Sequence, residues 1–298
     1  KSLRDRNILK TFDMVSKEIT EIQKKDFNRN TDYYYNEFTF KETWLNYHGE
    51  DLDMDLDKSY LEMSENADHL FIVTKLKVLN TVISRKILSG ISIYKTYWAV
   101  ENILKYIEKN TDDIEKNHPI IYSEYKILMM VLEPDTVKHF HDLEKHVFQN
   151  ITRYNEDELE QVYYSLSNYC VNKIALGEDK FINELYKIHS NFEKTGFYSK
   201  NKNLQYTDFI GVIICGLNMK HMKWVEHFFE TYKGNIASEV KRDTINLSSA
   251  LIAFQNKKYR DCVGYLGKVG YKYTYFYLKS KETLIKAYYE LGEIESLE

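Results

Sequence analysis

The chain is poor in the residues that build tight turns: it holds 2 Pro and 11 Gly among 298 residues. A sandwich or barrel of short strands needs such turns at frequent intervals, so that class is disfavoured. Its three cysteines, Cys170, Cys215 and Cys262, are an odd number, lie far apart and match no metal spacing. They predict a reduced, cytoplasmic setting and three small core residues. Long apolar runs are missing too: stretches such as "FIGVIICGL" (Phe209 to Leu217) fall well short of the ~20 residues needed to cross a bilayer, which predicts a soluble protein. Nor is there a dominant charge. A formal net charge of -4 and a pI near 6.2 give no broad positive field, so neither nucleic acid nor a membrane is expected as a partner. The phosphate-cradling patterns G-x-x-x-x-G-K-[ST] and G-x-G-x-x-G and the nucleophile elbow G-x-S-x-G do not occur. No catalytic residue, cofactor or enzymatic activity is therefore expected.

What the chain does have is apolar and aromatic mass, with 43% hydrophobic residues, 26 Tyr and 15 Phe, which is enough for an ordered core. Apolar residues recur three and four apart, the period of an amphipathic helix. Ile72, Leu76, Leu79, Ile83 and Ile87 form one stripe, and Tyr97, Val100, Leu104 and Ile107 the next. Tyr163, Leu166, Cys170 and Ile174 follow, then Phe181, Leu185, Ile188 and Phe192. Val225, Phe229 and Tyr232 precede Leu247, Leu251 and Phe254. No comparable segment alternates with the period of two of a half-buried strand. The whole chain reads as α-helical.

Turn signals sit near Gly90, Pro134, Gly177, Lys220, Lys257 and Gly292, at successive steps of 44, 43, 43, 37 and 35 residues. Each step holds two stripes, so the unit is a helix pair. One pair cannot bury its apolar faces alone, whereas stacked pairs bury them against each other. The expected architecture is an all-α, right-handed α-solenoid of about five to six degenerate helix pairs over residues 50–298. Residues 1–49, with a helix from Leu3 to Phe27 and an aromatic one from Asp32 to Tyr47, are expected to cap it or to end a preceding domain. A first residue that is Lys1 rather than Met is expected of a piece or a processed form of a longer protein.

The last two units carry a resemblance. In "LIKAYYELGEIESLE" (Leu284 to Glu298), Leu284, Ala287, Tyr288, Gly292 and Ile294 give apolar, small, aromatic, turn and apolar residues in sequence. "ALIAFQNKKYRDCVGYL" (Ala250 to Leu266) places Tyr259 after a turn and Cys262 at the small position of a second helix. These passages resemble the tetratricopeptide repeat, and Tyr259 to Ile294 spans 35 residues against that family's 34. "GLNMKHMKWVEHFFETYK" (Gly216 to Lys233) and "NYCVNKIALGEDKFINELYKIH" (Asn168 to His189) share the layout. From Asn168 onward the chain is similar to uncharacterised bacterial proteins with degenerate repeats of this kind. It departs from them in lacking the proline that closes each repeat. The resemblance implies that the first helix of each pair lines a concave binding face, which would expose Gln255, Lys286 and Tyr289 there.

Several constellations invite chemistry and are weighed against plainer roles. "HGEDLDMDLDKSYLE" (His48 to Glu62) sets Asp51, Asp53, Asp55 and Glu62 at the first, third, fifth and twelfth places of a calcium loop. Leu56 stands where that loop needs Gly, so the expected role is an acidic lead-in whose Asp55 or Asp57 caps a helix starting near Ser59. In "KHFHDLEKH" (Lys138 to His146), His139, Asp142 and His146 fall near one helix face and could seat a divalent metal. Val137, Phe140, Leu143 and Val147 mark the buried stripe, so the histidines are expected to flank it, half in solvent. Glu156, Asp157 and Glu158 sit where negative charge suits a helix start. No metal site is expected from any of them.

The expected function is a non-enzymatic scaffold offering a surface to a protein or peptide. A peptide-sensing regulator whose solenoid changes curvature is the alternative, followed by a cryptic metal-dependent enzyme. Tyrosines, which combine contact area with a polar handle, suit such a surface.

Overall fold

The computed structural model describes residues 9–25, 28–48, 56–87, 99–200 and 202–293. Among these, every extended regular element is a helix; Leu204 and Ile236 form one isolated bridge and there is no strand. No helix is long and apolar enough to cross a membrane. The chain divides into two compact units, Lys1–Ser165 and Leu166–Glu298.

The first unit contains α1 (Leu9–Lys25), α2 (Thr31–His48), α3 (Asp57–Ile87), α4 (Val100–Lys109), α5 (Thr111–Asn117), α6 (Pro119–Leu132), α7 (Lys138–Gln149) and the start of α8 (Glu156–Ala175). α6 is its axis. Its sequence "PIIYSEYKILMMVL" is apolar nearly all round, as a helix enclosed on every side must be, and Pro119 to Met130 are all buried. α3, α4, α5 and α7 pack on it. The predicted stripe Ile72, Leu76, Leu79 and Ile83 is the buried face of α3. On α4 the stripe is shifted: Ile103 and Ile107 are buried while Val100 and Leu104 are half-exposed, because the helix lays its 103/107 edge on α6. Tyr97, Gly90 and Asp51 to Asp55 lie outside the described residues.

Helix starts follow their local chemistry. Asn30 caps α2, its side-chain oxygen accepting the Tyr33 amide at 3.0 Å. Asn155 and Glu158 form a reciprocal capping box at α8, at 2.9 and 3.0 Å, which is the helix-start role expected of that acidic cluster. α3 opens at Asp57, which supplies the acidic residue of its first turn.

The second unit holds the rest of α8, then α9 (Lys180–Lys194), the single turn α10 (Phe197–Lys200), α11 (Tyr206–Asn218), α12 (Met222–Tyr232), α13 (Ser238–Gln255), α14 (Tyr259–Leu266) and α15 (Thr274–Leu291). α9 packs on α11, α11 on α13 and α13 on α15, while α12 and α14 pack beside their chain neighbours. The expected breaks near Gly177, Lys220, Lys257 and Gly292 all fall between or after helices with positive φ, at 88°, 58°, 59° and 72°. Left-handed backbone at these points ends each helix sharply.

Phe181, Leu185, Ile188 and Phe192 form the buried face of α9 as predicted. α13 differs from expectation: Leu251 and Phe254 stay half-exposed, and the buried face is Val240, Thr244, Leu247, Ser248, Ala250 and Ala253. Flanked by α11, α14 and α15, this helix turns small residues toward its neighbours so that the backbones can approach. Gly216 on α11 does the same. A Cβ there would stand 2.5 Å from Val225 Cγ2 on α12, closer than real carbons come. The core closes over Phe209, Phe228, Tyr198 and Tyr232, with Tyr198 edge-on to Phe228 at 5.0 Å.

Candidate functional site

The first unit holds a half-open cavity of about 490 Å³ lined by Arg29, Tyr33, Tyr34, Glu65, Asn66, His69, Tyr106, Asp113, Asn117 and His118. These residues come from four helices, with Arg29 and His118 lying outside them. Arg29 precedes α2; Tyr33 and Tyr34 lie in its first turn; Glu65, Asn66 and His69 share one face of α3; Tyr106 sits on α4 and Asp113 on α5. His118 is the residue between α5 and α6. The following Pro119 bars it from helical backbone, and its φ and ψ of -129° and 63° break the chain direction at the cavity wall.

The two imidazoles stack with ring centroids 4.1 Å apart. Tyr34 packs against both, at 5.4 Å from His69 and 5.9 Å from His118. Burial holds the His118 imidazolium down to about 3, assisted by His69 and Arg29, and burial lowers His69 as well. Both rings are thus neutral at physiological pH. Burial also pushes the Tyr34 hydroxyl up, so it stays protonated and donates to His118 Nδ1 at 2.6 Å. His118 must then carry its own hydrogen on Nε2. The nearest carboxylate oxygen, Asp113 Oδ2, lies 3.7 Å from that nitrogen, beyond hydrogen-bond reach. Asp113 Oδ1 accepts from the Asn117 amide at 2.7 Å. Tyr106 Oη approaches His69 Nε2 at 3.5 Å. The result is a wall of fixed donors and acceptors. Histidines this hard to protonate are poor general acids.

Deeper in the same unit, Glu124 on α6 is fully enclosed. Its Oε2 accepts from Asn80 Nδ2 at 2.7 Å and Gln161 Nε2 at 3.0 Å, yet burial raises its carboxyl to about 7. Lys126, also buried, donates to Asp142 at 2.7 Å and sits over the Tyr122 ring.

The three α7 residues expected near one face, His139, Asp142 and His146, do not share a position. Asp142 is taken by Lys126; His139 meets Glu133 at 3.0 Å; His146 packs on Tyr122 at 4.6 Å. His139 and His141 flank the buried stripe of Phe140, Leu143 and Val147, as expected, but His146 is buried and held down to about 4. It falls in line with that stripe because it follows Leu143 by three positions. All three cysteines are buried, and burial pushes the thiols of Cys215 and Cys262 up to about 12 and 11, so they pack as small apolar residues.

In the second unit the expected face residues are solvent-exposed. Gln255 closes α13, while Lys286 and Tyr289 lie on α15, Lys286 bound to Glu282 at 2.6 Å. Tyr289 is 74% exposed, and Leu278 and Ile285 on the same helix are 60% and 59% exposed. Positions 278, 285 and 289 follow the helical spacing of seven and four, so they share one outward face. A second cavity, of about 580 Å³, lies where α11 and α13 begin, between Tyr206, Glu239 and Tyr273.

Sequence reasoning missed the histidine cavity. Tyr34, His69, Tyr106 and His118 are spread over more than eighty positions with no common spacing, and the His-Pro junction is the one local signal there. No family model matches this chain, and neither a curated protein nor a solved structure is found to be similar to it.

Proposed function

We propose that the chain is a non-enzymatic helical-repeat scaffold, and that the outer face of α15 receives a helical segment of a partner protein. The observation that carries this reading is the row of Leu278, Ile285 and Tyr289, three large apolar side chains left in water on one helix face. Soluble domains rarely leave such side chains in line without use. The row has the spacing with which helices meet in grooves, and its flanks carry Lys281, Glu282, Lys286 and Glu290 as a polar rim. The i-to-i+2 packing of α9, α11, α13 and α15 supports a tetratricopeptide-like stack in this unit.

A photo-crosslinking residue at Tyr289, used in the native cell, should give one dominant adduct. The purified adduct partner should bind the wild-type chain with an affinity that Ile285→Asp lowers by about tenfold or more, while the melting temperature stays unchanged. Undiminished binding by Ile285→Asp would remove the α15 face from the proposal.

A further inference from the structure

We propose that the surface where α14 passes into α15 binds a single-stranded nucleic acid, its tyrosine rings taking bases and its lysines taking phosphates. The inference rests on no part of the scaffold reading and makes no use of Leu278, Ile285 or Tyr289. Charge is unevenly placed along this chain. Residues 257–281 carry seven Lys and Arg and six Tyr against a single acid, Asp261, in a chain whose formal net charge is -4. The whole-chain balance argues against a broad positive field, and this stretch makes a local one.

Its lysines are largely uncompensated. Lys279 is paired with Glu282 at 2.8 Å, but Lys268, Lys272 and Lys281 are exposed, and among the described residues none of these three forms an ion pair. Each lies instead over a tyrosine ring: Lys268 at 5.7 Å from Tyr265, Lys272 at 5.4 Å from Tyr273 and Lys281 at 5.9 Å from Tyr277. Of the acids on α13 and α15, Asp243 is held by Arg242 at 3.1 Å and Glu282 between Lys279 and Lys286, so neither is free to cancel the three lysines.

The fold gathers the rings. The segment joining α14 to α15 is held on α13, where Asn246 Nδ2 donates to the Lys268 carbonyl at 3.4 Å. Gly270 comes so close that a Cβ there would stand 2.8 Å from Asp243 Oδ2 and 3.5 Å from Arg242 Nη2. This carries Tyr271 to the first turn of α15, edge-on to Tyr277 at 5.4 Å. Tyr265, Tyr271 and Tyr277 stay 37%, 47% and 44% exposed.

A ring with an ammonium beside it is the complement of one nucleotide, which offers a flat base and a phosphate. The flexible lysine stem lets the ammonium leave the ring for the phosphate while the base takes the ring face. An acidic peptide would answer the lysines but not the rings. An anionic lipid surface calls for aliphatic or tryptophan side chains where these tyrosines stand. Duplex DNA keeps its base faces inside the stack and would meet the cations alone.

Fluorescence anisotropy of labelled oligo(U) of about 20 nucleotides, titrated with the full chain at about 50 mM salt, tests the assignment. Saturable binding is expected, and the logarithm of Kd should rise with that of salt at a slope of about 2, as for three phosphate contacts. Tyr271→Leu and Tyr277→Leu should each weaken binding about tenfold, whereas Tyr277→Phe, which keeps the ring, should hold the wild-type affinity. Lys272→Ala should weaken binding and lower the salt slope by about 0.7. These side chains are exposed, and unchanged melting curves separate site loss from misfolding. Ile285→Asp should bind oligo(U) as the wild type does, which sets this surface apart from the partner face of α15. Tighter binding of oligo(U) than of oligo(dU) assigns the site to RNA, and the reverse or equality to single-stranded DNA. No saturable binding up to about 100 µM chain would overturn the proposal. So would a duplex of the same length binding as tightly, poly-glutamate competing as well as unlabelled oligo(U), an affinity that Tyr277→Leu leaves unmoved, or recruitment to phosphatidylserine vesicles that oligo(U) does not reverse.

Discussion

The interior of the first unit carries His118, Glu124, Lys126 and His146, whereas the second is closed around Phe209, Phe228, Tyr198 and the small-residue face of α13. Both are helical and both are well packed, yet they meet the cost of burying polar groups differently. In the first, each buried polar side chain of α6 has a specific partner: Ser123 with Tyr154, Glu124 with Asn80 and Gln161, Lys126 with Asp142. In the second, the buried hydroxyls of Thr244 and Thr283 turn back onto carbonyls of their own helix at 2.8 and 2.7 Å. Networks between helices tie stability to protonation; apolar contacts with self-bonded hydroxyls do not.

The largest expected effect tests the aromatic core of the second unit. Phe228→Ala removes a fully buried ring that touches Tyr198, Phe209 and Tyr232, and should cost about 3–5 kcal/mol in urea unfolding followed by circular dichroism. The loss should fall on the second unit's transition alone; an equal loss in the first would mean that the two do not unfold separately.

Next comes Glu124, where the contrast is in pH. Its carboxyl is raised to about 7 in the folded chain from an ordinary 4.5, so its contribution is fully present below pH 4.5 and is lost as pH rises through 7. The difference amounts to about 3 kcal/mol. Glu124→Gln should flatten this part of the stability profile between pH 5 and 8, as measured by urea midpoints; a variant with the wild-type slope would show that another group carries it.

The histidines act in the opposite direction. His118 and His146 are held down to about 3 and 4, so their contribution is complete above pH 6.5 and is lost as pH falls toward those values. Acidification from pH 6.5 to 5 should cost about 2 kcal/mol for each such ring. His189 alone plays this part in the second unit, at about 3. The first unit should therefore melt first in acid, and His146→Gln should narrow the gap.

At the small end, Lys286→Ala removes an exposed ion pair with Glu282 and should change stability by less than about 0.5 kcal/mol in the same assay. A larger loss would mean that α15 is less peripheral than its exposure implies.

Much of the fold was legible in single residues. The α9 stripe of Phe181, Leu185, Ile188 and Phe192 is buried because a 3.6-residue period admits one apolar face, and Lys220 and Lys257 turn with positive φ where the stripes break. The cases that went astray share a cause. On α4 and α13 more than one apolar edge was available, and the neighbours chose between them: Ile103 over Leu104, and Ala250 and Ala253 over Leu251 and Phe254. His146 was expected to flank the stripe of Phe140, Leu143 and Val147, half in solvent, but Tyr122 from α6 packs against it.

By itself, the sequence determined that this chain is helical and where its helices break, since periodicity, capping residues and scarce Gly and Pro act within a few positions. Only the tertiary structure decided that Tyr34, His69, Tyr106 and His118 stand around one cavity and that Glu124 and Lys126 are buried with partners. Those choices depend on which helices touch, and contact between distant segments leaves no spacing in the chain to read.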